Sequence, residues 1–459
     1  MKTNKIKFTS VILTVISLFF ALCTVSYADF SPADITTPHI VLMDAKSGSI
    51  IYEKAAHEQA YPASTTKIMT CILALESGKD LNETVDVGEN IETSGSVMGF
   101  IRREELRFID LIYGMMLVSG NDAAQAIAEH IAGSESAFAV MMNEKAAELG
   151  MNDTHFVKSN GLHDDNHYTT AYDMALLTKY AMQNEQFRRI VSAETYQVEP
   201  TNRDSDGYFL ENTNKLLYRS PEAEESYLYS AATGVKTGST PRAKRCLVAS
   251  AEKNGEELIL VLFEDEADDY RFSSAKQLFE WAFENTESIN ANELSLERTI
   301  TRQVSNASFS DSQNGQLAIN INIDNAIIKT DRDTISAIKA DPSLISVSIE
   351  LNSEELTAPI YEGTELGVAK YSYNGSTLFT APLTASRTVM DISNSTYTGP
   401  SGEGSIILEP LTQGTSGSGW LFWVLLIIFI IVLFIFMRMS ADRKKRRRRR
   451  RRAYRYPSR

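Results

Sequence analysis

The chain is poor in cysteine. Three occur in 459 residues, and Cys23 lies in an apolar N-terminal stretch. Cys71 and Cys246 are too few for a disulfide framework, and a chain this long buries a core without staples. Cys71 is expected to be a small buried apolar residue. The body is also short of basic residues. Sixteen of the 45 Lys and Arg lie in residues 1–28 or 438–459, so Asp29 to Met437 carries 29 against 58 acids. A body charge near −29 argues against a nucleic-acid partner.

Long hydrophobic runs stand at the two ends. Lys2, Lys5 and Lys7 precede an apolar run from Val11 to Leu22, and Ser26-Tyr27-Ala28 supplies small residues at −3 and −1. Residues 1–28 read as a secretory signal cleaved after Ala28, with an uncleaved anchor as the alternative. Leu22 is too bulky before Cys23 for a lipoprotein signal. Trp420 to Met437 is eighteen residues without a charge, enough to cross a bilayer. Ten consecutive basic residues follow, Arg443 to Arg452, which places the 438–459 tail in the cytoplasm and the body outside. Contact with anionic lipid accounts for that tail better than nucleic acid does. Residues 393–419, rich in Ser, Thr and Gly, form a flexible tether.

Between these ends the predicted fold class is α+β. In residues 29–290, His39–Asp44, Ile50–Glu53, Leu247–Ala251 and Leu258–Phe263 read as strands. Ile68–Leu75, Phe108–Met116, Ala123–Ile131 and Ala275–Phe283 read as helices. Strands at both ends with helices between predict an antiparallel sheet covered by helices. In residues 294–392 helical patterns vanish. Leu317–Ile323, Ser346–Leu351, Gly367–Tyr373 and Ser386–Ile392 read as short strands of a small all-β sandwich. A single C-terminal transmembrane helix completes the layout.

The chemistry is carried by three short motifs in order: Ser64-Thr65-Thr66-Lys67, Ser119-Gly120-Asn121 and Lys236-Thr237-Gly238. Each is cheap alone. S-x-x-K recurs by chance at Ser250, Ser273 and Ser336, whereas K-T-G occurs once. Together they spell a serine acyl-transfer site with a lysine base. Ser64 follows Pro62 and opens an apolar helix; Lys67 lies three residues on, over the same face. A lysine becomes a base only when desolvation or a second cation lowers its pKa, and Lys236 is that candidate cation. Ser119 can pass a proton to the leaving amine, and Asn121 can hold Lys67 or a substrate amide. Gly238 lets a substrate backbone approach a strand edge. The N–H groups of Ser64 and Ser239 would form an oxyanion hole. Lys236 and Thr237 suit a substrate carboxylate.

These residues resemble the penicillin-binding serine D-Ala-D-Ala carboxypeptidases of low molecular mass. The resemblance runs from about Pro38 to Asn285. It includes Asn160-Gly161-Leu162 and His167-Tyr168-Thr169-Thr170-Ala171. A weaker likeness over Ala358-Pro359-Ile360, Glu362-Gly363 and Leu366-Gly367 points to the family's second, β domain. The resemblance implies removal of the terminal D-Ala from peptidoglycan stem peptides, an acyl-enzyme, acylation by β-lactams, no cofactor and no metal. It also implies that Arg271 helps bind the terminal carboxylate. The histidines are read as structural. Two features depart from the family: Ala243-Lys244-Arg245 adds charge beside the site, and a true span replaces the amphipathic anchor. The alternatives are a class A-like β-lactamase, for which Glu211 has Asn214 three residues on and not four, and a non-catalytic wall-binding protein.

Overall fold

The computed structural model describes residues 30–90, 94–223, 226–267, 269–394, 396–397 and 406–407. The expected signal at 1–28, the apolar run at 420–437 and the basic tail lie outside the described residues. Among the described residues no helix is long and apolar enough to cross a membrane. The described chain divides into two compact units. The first runs to Thr301 and adds Ala318–Glu354 and Glu362–Ser386; the second holds Arg302–Leu317, Glu355–Tyr361 and the residues from Arg387 on.

The first unit is built on a five-stranded antiparallel sheet. Its strands are β1 (His39–Asp44), β2 (Ile50–Lys54), β7 (Ala232–Thr240), β8 (Lys244–Lys253) and β9 (Glu256–Asp265), in the spatial order β2-β1-β9-β8-β7. Ribbons β3 (Thr84–Asp86) with β4 (Glu105–Arg107), and β5 (Thr195–Val198) with β6 (Tyr208–Glu211), lie between them in sequence. Successive strand residues point to opposite faces, so a strand covered on both sides must be apolar throughout. β9 meets this requirement with Leu258 to Phe263, all fully buried. Val41, Met43, Ile259 and Val261 join a core with Ile68, Met115, Phe138 and Met174. Ile40, Leu42, Leu260 and Leu262 pack with Phe272, Leu278 and Phe279 on the other face. Burial of each such Leu, Ile or Phe contributes about 1.5–3 kcal/mol.

Helices α1 (Lys67–Glu76), α2 (Phe108–Leu117) and α3 (Asn121–Ala132) supply the first face, and α7 (Tyr270–Asn285) covers the second. Three further helices escape the sequence reading: α4 (Glu135–Glu148), α5 (Ala171–Ala181) and α6 (Glu185–Val191). Each starts at a side-chain cap, with Ser134, Thr170 and Asn184 accepting from backbone N–H groups of the first turn.

The rest of the first unit is β-rich. β10 (Thr286–Asn290) pairs with β13 (Ile327–Asp331), and β12 (Gln316–Ile321), β14 (Ser346–Leu351), β16 (Glu365–Tyr373) and β17 (Ser376–Ala385) form a sheet in the order β14-β16-β17-β12. The all-β expectation is corrected by α8 (Arg332–Ala340), capped by Asp331 and burying Ile335 and Ile338. In the second unit, β11 (Thr299–Ser305) pairs in parallel with β15 (Leu356–Thr357). The strand expected at Ser386–Ile392 is not formed. β17 ends at Ala385, Arg387 engages Asp311 at 2.6 Å, and only isolated bridges at Val389 and Asp391 follow.

Candidate active site

Ser64 sits on a short 3₁₀ turn, Ala63–Thr66, that feeds α1. Thr65 Oγ1 donates to Pro62 O at 2.7 Å and fixes the turn. Residues 67 to 74 of α1 are all buried, so Lys67 enters the core with its helix. Its Nζ lies 3.0 Å from Ser64 Oγ, 2.7 Å from Asn121 Oδ1 and 2.8 Å from Asn160 O. Asn121 Nδ2 donates to Ser94 O at 2.6 Å, which leaves Oδ1 for the lysine. A neutral amine has two N–H bonds and one lone pair. The two carbonyl oxygens accept from the N–H groups, and the lone pair is left for the Ser64 hydroxyl. Burial, then the Lys236 charge, holds Lys67 well below its ordinary pKa; Asp122 and Glu135 oppose this.

Ser119 stands two residues before Asn121, buried at φ +62° in the turn between α2 and α3. That turn is anchored by Asp122, whose carboxylate accepts from the backbone N–H groups of Met98, Gly99 and Ala123, each at 2.8 Å. Asn121 N donates to Ser96 O at 2.8 Å, so residues 94–99 and the turn are held as one piece.

Lys236, Thr237 and Gly238 lie inside edge strand β7. They pair with Val248, Leu247 and Cys246 of β8. Lys236 is fully buried and donates to Thr237 O at 3.1 Å. Burial, then Arg271, lowers its pKa to about 7. Gly238 also has a packing reason. A Cβ there would lie 3.0 Å from Pro62 O and 3.2 Å from the Cβ atoms of Ala63 and Cys246. The close neighbour is the turn carrying Ser64, so glycine lets β7 press against the serine turn. Arg271, mostly buried, donates through Nη1 to Gly238 O at 3.0 Å and Cys246 O at 3.2 Å. In this geometry Arg271 grips β7 and β8 from behind. Ser239 Oγ accepts from Arg245 Nη1 at 2.8 Å, and Lys244 pairs with Glu266 at 2.6 Å. Both unexpected charges are therefore engaged.

Direct contacts thus join Ser64, Lys67 and Asn121, the Lys236 charge acts on Lys67, and Gly238 meets the serine turn. Three contributors were not named as site residues in sequence, although Asn160 and Gly161 lie in a motif that carries the resemblance. Asn160 acts through its carbonyl, which no side-chain motif announces. Gly161 beside it is at φ +78°, and a Cβ there would stand 1.9 Å from Ala63 O. Thr213 Oγ1 lies 2.7 Å from Thr237 Oγ1, and from there a cavity of about 310 Å³ extends past Lys215, Tyr218 and Tyr227. His167 is structural, as read. Its Nδ1 accepts from Val157 N at 3.0 Å and its Nε2 lies 2.8 Å from Thr66 Oγ1. Burial drives its pKa down to about 3.

An antiparallel sheet with Lys236-Thr237-Gly238 on its edge strand, and half-buried Ser64 beside buried Lys67, is the arrangement expected of a serine-type peptidase of the penicillin-binding class. The profile of the D-alanyl-D-alanine carboxypeptidase peptidases matches residues 26–267, and that of the penicillin-binding protein 5 C-terminal domain matches residues 322–391. The D-alanyl-D-alanine carboxypeptidase DacF of Bacillus subtilis is 31% identical over 353 residues, covering 75% of this chain and 84% of the relative. DacC of Escherichia coli is 30% identical over 355 residues, covering 75% and 82%. The crystal structure of penicillin-binding protein 5 from Haemophilus influenzae superposes with a TM-score of 0.54 at 26% identity, covering 79% of this chain and all of that one. The chain belongs to the D-alanyl-D-alanine carboxypeptidase family and is a serine-type carboxypeptidase hydrolase.

Proposed function

We propose that the chain removes the terminal D-Ala from peptidoglycan stem pentapeptides through an acyl-serine intermediate. Neutral Lys67 takes the Ser64 proton as Oγ attacks the carbonyl carbon of the penultimate D-Ala. The N–H groups of Ser64 and Ser239 stabilise the resulting oxyanion. Lys236 and Thr237 hold the terminal carboxylate. Arg271 contributes by fixing β7 and by its charge. As the C–N bond breaks, Ser119 passes a proton to the departing D-Ala amine. Water then hydrolyses the ester and restores Ser64. β-Lactams acylate the same hydroxyl.

The observation that carries this reading is the Lys67 amine, 3.0 Å from Ser64 Oγ with its other two directions taken by carbonyl oxygens. The same reading places the enzyme outside the cytoplasm, cleaved after residue 28 and tethered by a span at 420–437, with the basic tail on anionic lipid. The test is D-Ala release from a stem pentapeptide by the full chain and by Ser64→Ala, with mass spectrometry of a penicillin-treated sample. Loss of release in the variant, and a stable adduct on Ser64, are expected. Release that survives Ser64→Ala overturns the mechanism, and an adduct that clears within seconds favours a β-lactamase.

A further inference from the structure

Two carbonyl oxygens hold the Lys67 amine, and each has to be held in turn. Asn121 Oδ1 is steered by the bond from its own Nδ2 to Ser94 O. Asn160 O, 2.8 Å from Lys67 Nζ, belongs to the backbone, so its direction depends on what fixes the chain around residue 160. The run before it has its own anchors. Asn143 binds both backbone groups of Phe156 at 2.8 Å, and His167 Nδ1 accepts from Val157 N at 3.0 Å and Lys158 N at 3.3 Å. At Ser159 the anchoring passes to two other side chains. Thr70, one turn along α1 from Lys67, donates through Oγ1 to Ser159 O at 2.6 Å. Glu135, the first residue of α4, accepts from Ser159 N through Oε1 and from Ser159 Oγ through Oε2, the latter at 3.1 Å.

The start of a helix does not require that contact. Ser134 already caps α4, accepting from Ala137 N at 3.2 Å. A first-turn carboxylate favours the helix from solvent as well. Here the carboxylate is turned inward, where burial raises its pKa and the two bonds from Ser159 oppose the rise. Ser159 is fully buried, so its N–H depends on a protein acceptor.

We propose that Glu135 is a positioning residue for acylation: its two-oxygen grip on Ser159 holds the Asn160 carbonyl against the Lys67 amine and so keeps the amine lone pair on the Ser64 hydroxyl. The inference rests on the reading of Lys67 as the base that activates Ser64, and adds to it the group that aims the base. Grip and charge can be told apart by two substitutions. Glu135→Gln keeps the reach, its amide oxygen accepting from Ser159 N and its amide nitrogen donating to Ser159 Oγ, but carries no charge. Glu135→Asp keeps the charge and the preference for a helix start, but is one methylene too short to hold both Ser159 groups.

The test is acylation of the full chain in detergent micelles by a fluorescent penicillin, over concentrations that separate the binding constant from the acylation rate. Rates are read below each variant's melting temperature. Glu135→Asp is expected to slow acylation about tenfold or more, since a misplacement of about 1 Å far from the chemistry can cost about a hundredfold. Its binding constant should stay unchanged, because β7 is untouched. Glu135→Gln is expected to acylate at close to the wild-type rate, and kcat/KM for D-Ala release should rank the three proteins in the same order. Glu135→Asp as fast as wild type, or a loss confined to the binding constant, overturns the inference. Glu135→Gln as slow as Glu135→Asp also overturns it, and makes the charge the cause. Ser64→Ala separates the two readings. Acylation that survives it sinks the serine mechanism, whereas acylation that needs Ser64 but ignores Glu135→Asp sinks this inference alone.

Discussion

The proposed mechanism requires the two buried lysines to hold opposite protonation states during acylation, and this sets the expected pH profile. Lys67 acts only when neutral, and Lys236 anchors a carboxylate only when charged. Burial and the Arg271 cation lower the Lys236 pKa from 10.5 to about 7, which corresponds to roughly 5 kcal/mol against the ammonium in the free enzyme. Burial, and then the Lys236 charge, also push Lys67 well below its ordinary value. The expected kcat/KM for a peptide with a free C-terminal carboxylate is a bell, and its limbs belong to the coupled pair. The alkaline limb falls near pH 7, with about a tenfold loss per pH unit beyond it, because kcat/KM reports the free enzyme. Replacing Arg271 with Met removes the second cause of the depression and moves the alkaline limb upward. Burial persists, so the limb stays below 10.5. The variant also leaves Gly238 O and Cys246 O without their donor, so rates are read below its melting temperature. The assay is stopped-flow acylation or D-Ala release from pH 5 to 10, with a peptide amide lacking the carboxylate as control. A wild-type profile flat to pH 9.5, or a limb that stays at pH 7 in Arg271→Met, refutes the reasoning.

Gly161→Ala places a Cβ 1.9 Å from Ala63 O at a φ of +78°. Overpacking and left-handed strain together cost about 2–5 kcal/mol, so Tm should drop and β-lactam labelling of Ser64 should slow more than tenfold. Thr213→Val removes the partner of the Thr237 hydroxyl; KM should rise about 3- to 10-fold with little change in Tm, as expected for loss of one hydrogen bond. His167 is neutral in the fold down to about pH 3 but protonates near 6.5 when unfolded. The unfolded state therefore binds the extra proton in that window, and stability falls as pH drops from 6.5 towards 3, by up to about 5 kcal/mol. In His167→Gln that slope should flatten; an unchanged slope in denaturant titrations at pH 6.5 and 4 would remove His167 as its source.

Strands β1, β2, β8, β9 and β14 were legible because both-face burial or strict alternation leaves continuous β-rich runs such as Leu258–Phe263. Helices α1, α2 and α3 were legible for a related reason: their apolar residues crowd one segment. Helices α4, α5 and α6 were missed although their caps, Ser134, Thr170 and Asn184, were in view. Helix α8 was missed because Ile335 and Ile338 are its only buried residues, too thin a stripe among polar neighbours. Strand β17 went unread, and the segment after it was taken as a strand instead. Gly238 was singled out for substrate approach, and the fold adds a packing reason that only the tertiary structure shows, its closeness to the Pro62–Ala63 turn.

The order and spacing of Ser64, Lys67, Ser119, Asn121 and Lys236 to Gly238 were enough to name a chemistry, because a helix brings residues three apart onto one face whatever the fold. Sequence alone also marked Leu247–Ala251 and Leu258–Phe263 as apolar strands, since only a strand covered on both faces can be apolar throughout. Tertiary structure alone decided how the amine is held. Asn160 offers a carbonyl that every residue type has, Asn121 is steered by Ser94 O, and Arg271 reaches the K-T-G strand from a helix thirty-three residues away. Backbone carbonyls and long-range charges leave no mark on residue identity, and they act only once the chain has closed around them.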